Sequence, residues 1–142
     1  MNETIVKFGW PDTLVCEYTH WLILLRPAQP TLGSLVLAAK SDATAFGDLP
    51  PEAHAELAIV TNAIETALKA AIDYSRINYL MLMMVDPNVH FHVLPRYEGT
   101  RSSAGLTVPD AGWPGQPDLA SAVKLDAAQR DTLLAWLKPY FV

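Results

Sequence analysis

The segment that most constrains the fold is LPPEAHAELAIVTNAIETALKAAI, residues 49–72, which follows Asp48. Proline in the first turn and Glu52 close behind it open a helix. Leu57, Val60, Ile64, Leu68 and Ile72 then recur at spacings of three and four, forming one apolar stripe. Such a stripe needs an apolar partner surface, and the flanking segments read as strands that could supply it. Residues 13–25, TLVCEYTHWLILL, mix alternation with β-branched and aromatic residues and predict two strands, or one strand leading into a more buried one. RPAQPTLG is a turn, residues 34–39 form another buried strand, and KSDATAFGD is a loop. After the helix, NYLMLMMV (78–85) and VHFHVLP (89–95) predict two strands joined tightly across Asp86-Pro87. Residues 98–117, rich in Gly, Ser and Pro, have no periodicity and are expected to be irregular. Asp126 and Gln129 form a capping-box pattern for a last helix through Leu133, Leu134 and Leu137, stopped by Pro139. The order of strands, helix, strands and helix predicts an α+β domain, an antiparallel sheet with helices on one side.

A length of 142 residues suits one domain, and 51% hydrophobic against 18% charged residues is the composition of a buried core. A net charge of −5 lacks the basic excess expected for binding long nucleic acid or anionic membranes. An anionic ligand must then be held by local groups. Cys16 is the single cysteine, which excludes an intrachain disulfide and a multi-cysteine metal cluster and fits a reducing compartment. No apolar run follows a basic start, and no stretch of about 20 apolar residues occurs. The expectation is a soluble, cytoplasmic protein.

NVHFHVLPR, residues 88–96, places two of the four histidines one residue apart. Strand alternation puts Asn88, His90 and His92 on one face, with Val89, Phe91 and Val93 on the other. Three readings stay open on spacing alone. The row could simply face solvent. It could bind a metal, with Asp86, His20 or His54 as a third ligand. It could be catalytic, because neutral imidazole is nucleophilic and a second imidazole can donate to an oxygen under attack.

The pattern His90-Phe-His92-Val-Leu-Pro-Arg, preceded by Asn88-Val, resembles the signature of the histidine triad (HIT) family of nucleotide hydrolases and transferases. The resemblance extends upstream through WLILL, a proline-bearing turn, Gly33-Ser34-Leu-Val-Leu, the helix and the strand entering the motif, about residues 13–98. It implies an α+β fold with a HIT-like antiparallel sheet and two main helices. It also implies one domain over 1–142, with the motif-bearing core at about 13–98 and a C-terminal loop and helix at about 99–142.

By the same resemblance, His90 is the nucleophile that attacks an α-phosphorus to form a nucleotidyl-histidine, and His92 contacts the phosphate and assists charge or proton movement. Substrates would be a nucleotide or dinucleotide, such as diadenosine tetraphosphate, or a nucleoside phosphoramidate. A homodimer is implied, with no cofactor and no metal in the chemical step. Asn88 replaces the first triad histidine and is a candidate substrate contact that cannot carry a proton near neutral pH. Its backbone carbonyl remains able to orient the nucleophile. The connection before the motif looks short, VDP at residues 85–87. Arg26 lies near the family's ribose position and would serve a phosphate or solvate a turn. Trp113 would reach a base or pack in its loop, and Arg96 and Arg101 would supply local charge or be solvated. Cys16 reads as a core residue, and His20 and His54 as structural or exposed. The alternative function is a nucleotide-binding protein with little catalysis.

Overall fold

A computed structural model of the chain describes residues 1–141. The elements run α1 (Glu3–Lys7), β1 (Leu14–Glu17), β2 (Trp21–Leu25), β3 (Ala28–Gln29), β4 (Leu35–Ala39), α2 (Pro51–Ile72), β5 (Arg76–Leu80), β6 (His90–Arg96), β7 (Thr100–Ser103), β8 (Leu106–Pro109), β9 (Val123–Lys124) and α3 (Ala127–Leu137). Five strands form one antiparallel sheet in the order β1-β2-β4-β6-β5. This is an α+β architecture with two main helices, α2 and α3.

The sheet is covered on both faces, which corrects the expectation of helices on one side. Every residue of β2 and β4 is buried, and this is why WLILL and LVLAA read as continuous apolar runs rather than alternating ones. On one face, Trp21, Ile23, Leu25, Leu35 and Leu37 pack with Val60, Ile64 and Leu68 of α2, and Leu133, Leu134 and Leu137 of α3 join the same core. On the other face, Leu22, Leu24, Val36 and Ala38 pack under Ile5 of α1. That short helix was not expected from periodicity, because five residues hold barely more than one turn. It is held by Asn2, whose side chain accepts from Ile5 N and donates to the carbonyls of Ala39 and Ser41 at 3.0 and 2.9 Å.

Two further expectations are corrected. The strand predicted over residues 78–85 is β5, which ends at Leu80, so the connection to β6 is residues 81–89 and not the tight VDP turn. The apolar character that mimicked a strand belongs to a loop in which Met83 has φ 44 and Leu82, Met84 and Val85 are exposed. The segment 98–117 is not irregular throughout, for it contains the β7–β8 hairpin. Ala104 and Gly105 both have positive φ, the turn that matches the twist of a two-residue hairpin. The capping box at Asp126 and Gln129 is present, with reciprocal bonds of 2.8 and 3.0 Å.

Candidate active site

In the sheet register His90 stands opposite Ala38 and His92 opposite Val36. Both neighbours face α1, so both imidazoles do too, while Val89, Phe91 and Val93 join the core against α2. The two rings are 5.1 Å apart and nearly perpendicular, and Phe8, just past α1, lies 5.5 Å from one and 5.6 Å from the other. His90 is 2% and His92 6% exposed.

Their hydrogen bonds fix opposite tautomers. His90 Nδ1 lies 2.7 Å from the backbone carbonyl of Asn88. A carbonyl only accepts, so Nδ1 carries the proton and the neutral ring keeps a lone pair on Nε2. His92 Nδ1 lies 3.3 Å from Arg26 Nε. A guanidinium only donates, so this Nδ1 is bare and the neutral ring carries its proton on Nε2. Burial, then the charges of Arg26 and His90, push the His92 pKa down to about 4, with Asp86 opposing. With both rings neutral, the strand presents the Nε2 lone pair of His90 beside the Nε2–H donor of His92.

Arg26 reaches this position because the following turn is cross-braced. Gln29 donates to the carbonyls of Arg26 and Ser34 and accepts from the amides of Gly33 and Ser34. Gly33, at φ +89, lies against Ile72, where a Cβ would stand 3.1 Å from that side chain. Arg26 Nη1 donates to the Ala28 carbonyl at 2.5 Å, leaving Nη2 without an acceptor among the described residues. Burial lowers the Arg26 pKa.

The Asn88 side chain points at protein. Its Oδ1 accepts from the Thr4 hydroxyl at 2.9 Å, its Nδ2 donates to the Asp42 carbonyl at 3.0 Å, and its backbone N–H donates back to Thr4 Oγ1 at 3.1 Å. The residue ties α1 and the 40s loop to the start of β6, and it meets His90 only through its carbonyl.

A cavity of about 230 Å³ opens on His90 and His92 and is lined as well by Phe8, Arg26, residues 82–86 and Leu119. Asp86 in this lining is paired with Lys7 of α1 at 2.5 Å. His90, His92 and Asp86 do not close into a metal site: among the described residues no three His, Cys, Asp or Glu side chains are grouped to hold an ion.

Trp113 is elsewhere. It lines a larger cavity of about 720 Å³ with Arg76, Asn78 and Arg96. Arg96 stands four residues along β6 from His92, roughly 13 Å at the usual strand rise. Its guanidinium is held bidentate by buried Asp110 at 2.7 and 3.0 Å and donates to Asn78 and the Gly115 carbonyl. Arg101 donates to the carbonyls of Ile72 and Asp73, at the C-terminal end of α2. His54 packs on Phe46, and Cys16 is half-buried as a free thiol. The sequence reading missed Phe8 and the loop wall. The signal for the wall was an apolar run too long for the strand it entered, whereas Phe8 follows a five-residue helix that leaves no periodic signal.

No protein-family model matches the chain, and no curated protein matches its sequence. Solved structures share its fold. A histidine triad protein from Sinorhizobium meliloti 1021 is 22% identical with a TM-score of 0.74, over 98% of this chain and 94% of that one. One from Marinobacter aquaeolei VT8 is 20% identical with a TM-score of 0.74, over 99% and 94%. A hypothetical histidine triad nucleotide-binding protein from Sulfolobus tokodaii strain7 is 17% identical with a TM-score of 0.70, over 97% and 89%. The fold is thus that of histidine triad proteins.

Proposed function

We propose that the chain is a nucleotide phosphohydrolase or nucleotidyl transferase that works through a nucleotidyl-histidine at His90. The observation that carries this reading is the Nδ1–H to Asn88 carbonyl bond, which leaves a lone pair on Nε2 without any assistance from a charged base. Attack on an α-phosphorus would form the Nε2–P bond and release the leaving group, and water or another acceptor would then take the nucleotidyl group. The His92 Nε2–H and the free Arg26 Nη2 would donate to phosphoryl oxygens as charge gathers on them. Neither donor needs to move a proton to do so.

Dinucleoside polyphosphates such as diadenosine tetraphosphate and nucleoside phosphoramidates both contain a phosphorus suited to this attack. A second copy would pair along β5, an edge strand whose outer backbone groups have no partner in the sheet. A reducing compartment such as the cytoplasm suits the lone thiol of Cys16. Among the described residues, no helix is long and apolar enough to cross a membrane.

Acid-quenched turnover followed by peptide mass spectrometry tests the reading. A nucleotidyl mass on the peptide bearing His90 is expected, and H90A should lose both the adduct and turnover. Unchanged kcat/KM in H90A would overturn it. Nucleotide binding with no adduct and no turnover would instead favour a binding protein.

A further inference from the structure

The carbonyl that holds the His90 proton lies outside the sheet. β6 begins at His90, so Asn88 belongs to the 81–89 connection that precedes the strand. A carbonyl at the end of such a loop can turn unless other groups restrain it. Two restraints bracket this one. The Val89 N–H, in the same peptide plane as the Asn88 carbonyl, donates to the Ala43 carbonyl at 3.1 Å. On the other side of Asn88, Thr4 of α1 engages both its backbone and its side chain.

The Thr4 contact is reciprocal. Its hydroxyl donates to Asn88 Oδ1 at 2.9 Å and accepts from the Asn88 N–H at 3.1 Å, and its own N–H reaches the same Oδ1 at 3.4 Å. A hydroxyl has one proton and two lone pairs, so both of its bonds are made at once. The first amides of a helix lack an intrahelical acceptor, so Oδ1 also satisfies a donor of α1. Thr4 is 1% and Asn88 6% exposed, and a bond that either loses is not made good by bulk water. Ile5 and Asn2 already seat α1 on the sheet. What the Thr4 contact adds is a restraint on a residue 84 positions away in the chain.

We propose that Thr4 is a positioning residue for the reaction: through Asn88 it fixes the carbonyl that keeps the His90 proton on Nδ1, and so decides which His90 nitrogen is the nucleophile. The inference rests on the nucleotidyl-histidine reading and names a residue on which that reading depends. A neutral imidazole can carry its proton on either nitrogen, and only the Nδ1–H form has a lone pair on Nε2. When the Asn88 carbonyl turns away, part of the population takes the Nε2–H form, and that form cannot attack through Nε2. The proton passes between the ring nitrogens by way of solvent, with no change of net charge. Thr4 does not line the histidine cavity, so its loss leaves the groups that meet substrate in place. The defect therefore falls on kcat rather than on KM.

The test uses the full chain with 15N-labelled histidine, assayed on diadenosine tetraphosphate and adenosine 5′-phosphoramidate at a temperature where each variant is folded. Thr4→Val keeps the shape and loses the hydroxyl, Thr4→Ser restores the hydroxyl, and Asn88→Ala keeps the carbonyl and loses the side chain. In the wild type, NMR should show His90 protonated on Nδ1. In T4V and N88A a share of the proton should move to Nε2, and kcat should fall by about ten- to a hundred-fold while KM changes less than about two-fold. T4S should return both readings toward the wild type. The double variant should be no worse than the worse single one, because both act through one contact. If T4V does not fold, N88A supplies the same two readings. A wild-type tautomer and kcat in T4V or N88A, or a loss in T4V that T4S does not restore, overturns the role of Thr4, while a nucleotidyl mass on wild-type His90 leaves the nucleotidyl-histidine reading standing. No such mass on wild-type His90 overturns both.

Discussion

Two histidines in one strand, two residues apart, differ because each ring's Nδ1 meets a different partner. The Asn88 carbonyl holds the proton of His90 on Nδ1, and Arg26 keeps that of His92 on Nε2. Replacing Arg26 by Met removes one of the charges that depress the His92 pKa, while burial, the largest cause, remains. The His92 titration followed by NMR should therefore move up, part of the way toward the ordinary value near 6.5. A titration that stays near 4 would show that the guanidinium is not one of its causes. The same shift makes a stability prediction. The native His92 binds fewer protons than the unfolded one between about pH 6.5 and 4, so acidification through this window destabilises the fold. The loss from this residue is on the order of 3 kcal/mol at the lower end, and at pH 7 none of it is felt. Urea unfolding at pH 7 and pH 4.5 should show a smaller drop in H92N than in the wild type.

At the scale of elements, a five-residue helix matters more than its length implies, because it carries Ile5 over the second face of the sheet and delivers Phe8 to the two imidazoles. So short a helix is not stable alone, and its position depends on Asn2 and Thr4. Asn2→Ala removes the N-cap and two bonds to the 39–41 backbone, and should cost about 2 kcal/mol in chemical denaturation. It should also lower kcat/KM, since Phe8 loses its seat. Full activity in a measurably destabilised N2A protein would separate α1 from the site. The 81–89 loop acts in the opposite sense. Its Leu82, Met83, Met84 and Val85 are withheld from the core and line the cavity, so they can be changed with little loss of stability.

For the whole molecule, the buried Arg96–Asp110 pair joins the motif strand to the segment after the hairpin. Asp110→Ala leaves a buried guanidinium without its carboxylate and should cost roughly 3–5 kcal/mol in urea unfolding. A loss under 1 kcal/mol would mean that water reaches Arg96. Much of this architecture was legible in the residues. The apolar stripe of α2, the capping box of α3 and the shared face of His90 and His92 each follow from local periodicity and short-range bonds. So does the carbonyl at position 88, which any residue there would provide. What the sequence by itself determined is thus the order of the main sheet strands and the two main helices, and which side chains share a face. The tertiary structure alone decided that Arg26 meets His92 across 66 residues of chain, that Asn88 serves α1 rather than the cavity, and that Trp113 lies beside Arg96. It also decided that an apolar run would leave the sheet to wall the site. These depend on which surfaces meet when loops close, and distant packing of that kind leaves no periodic trace in the chain.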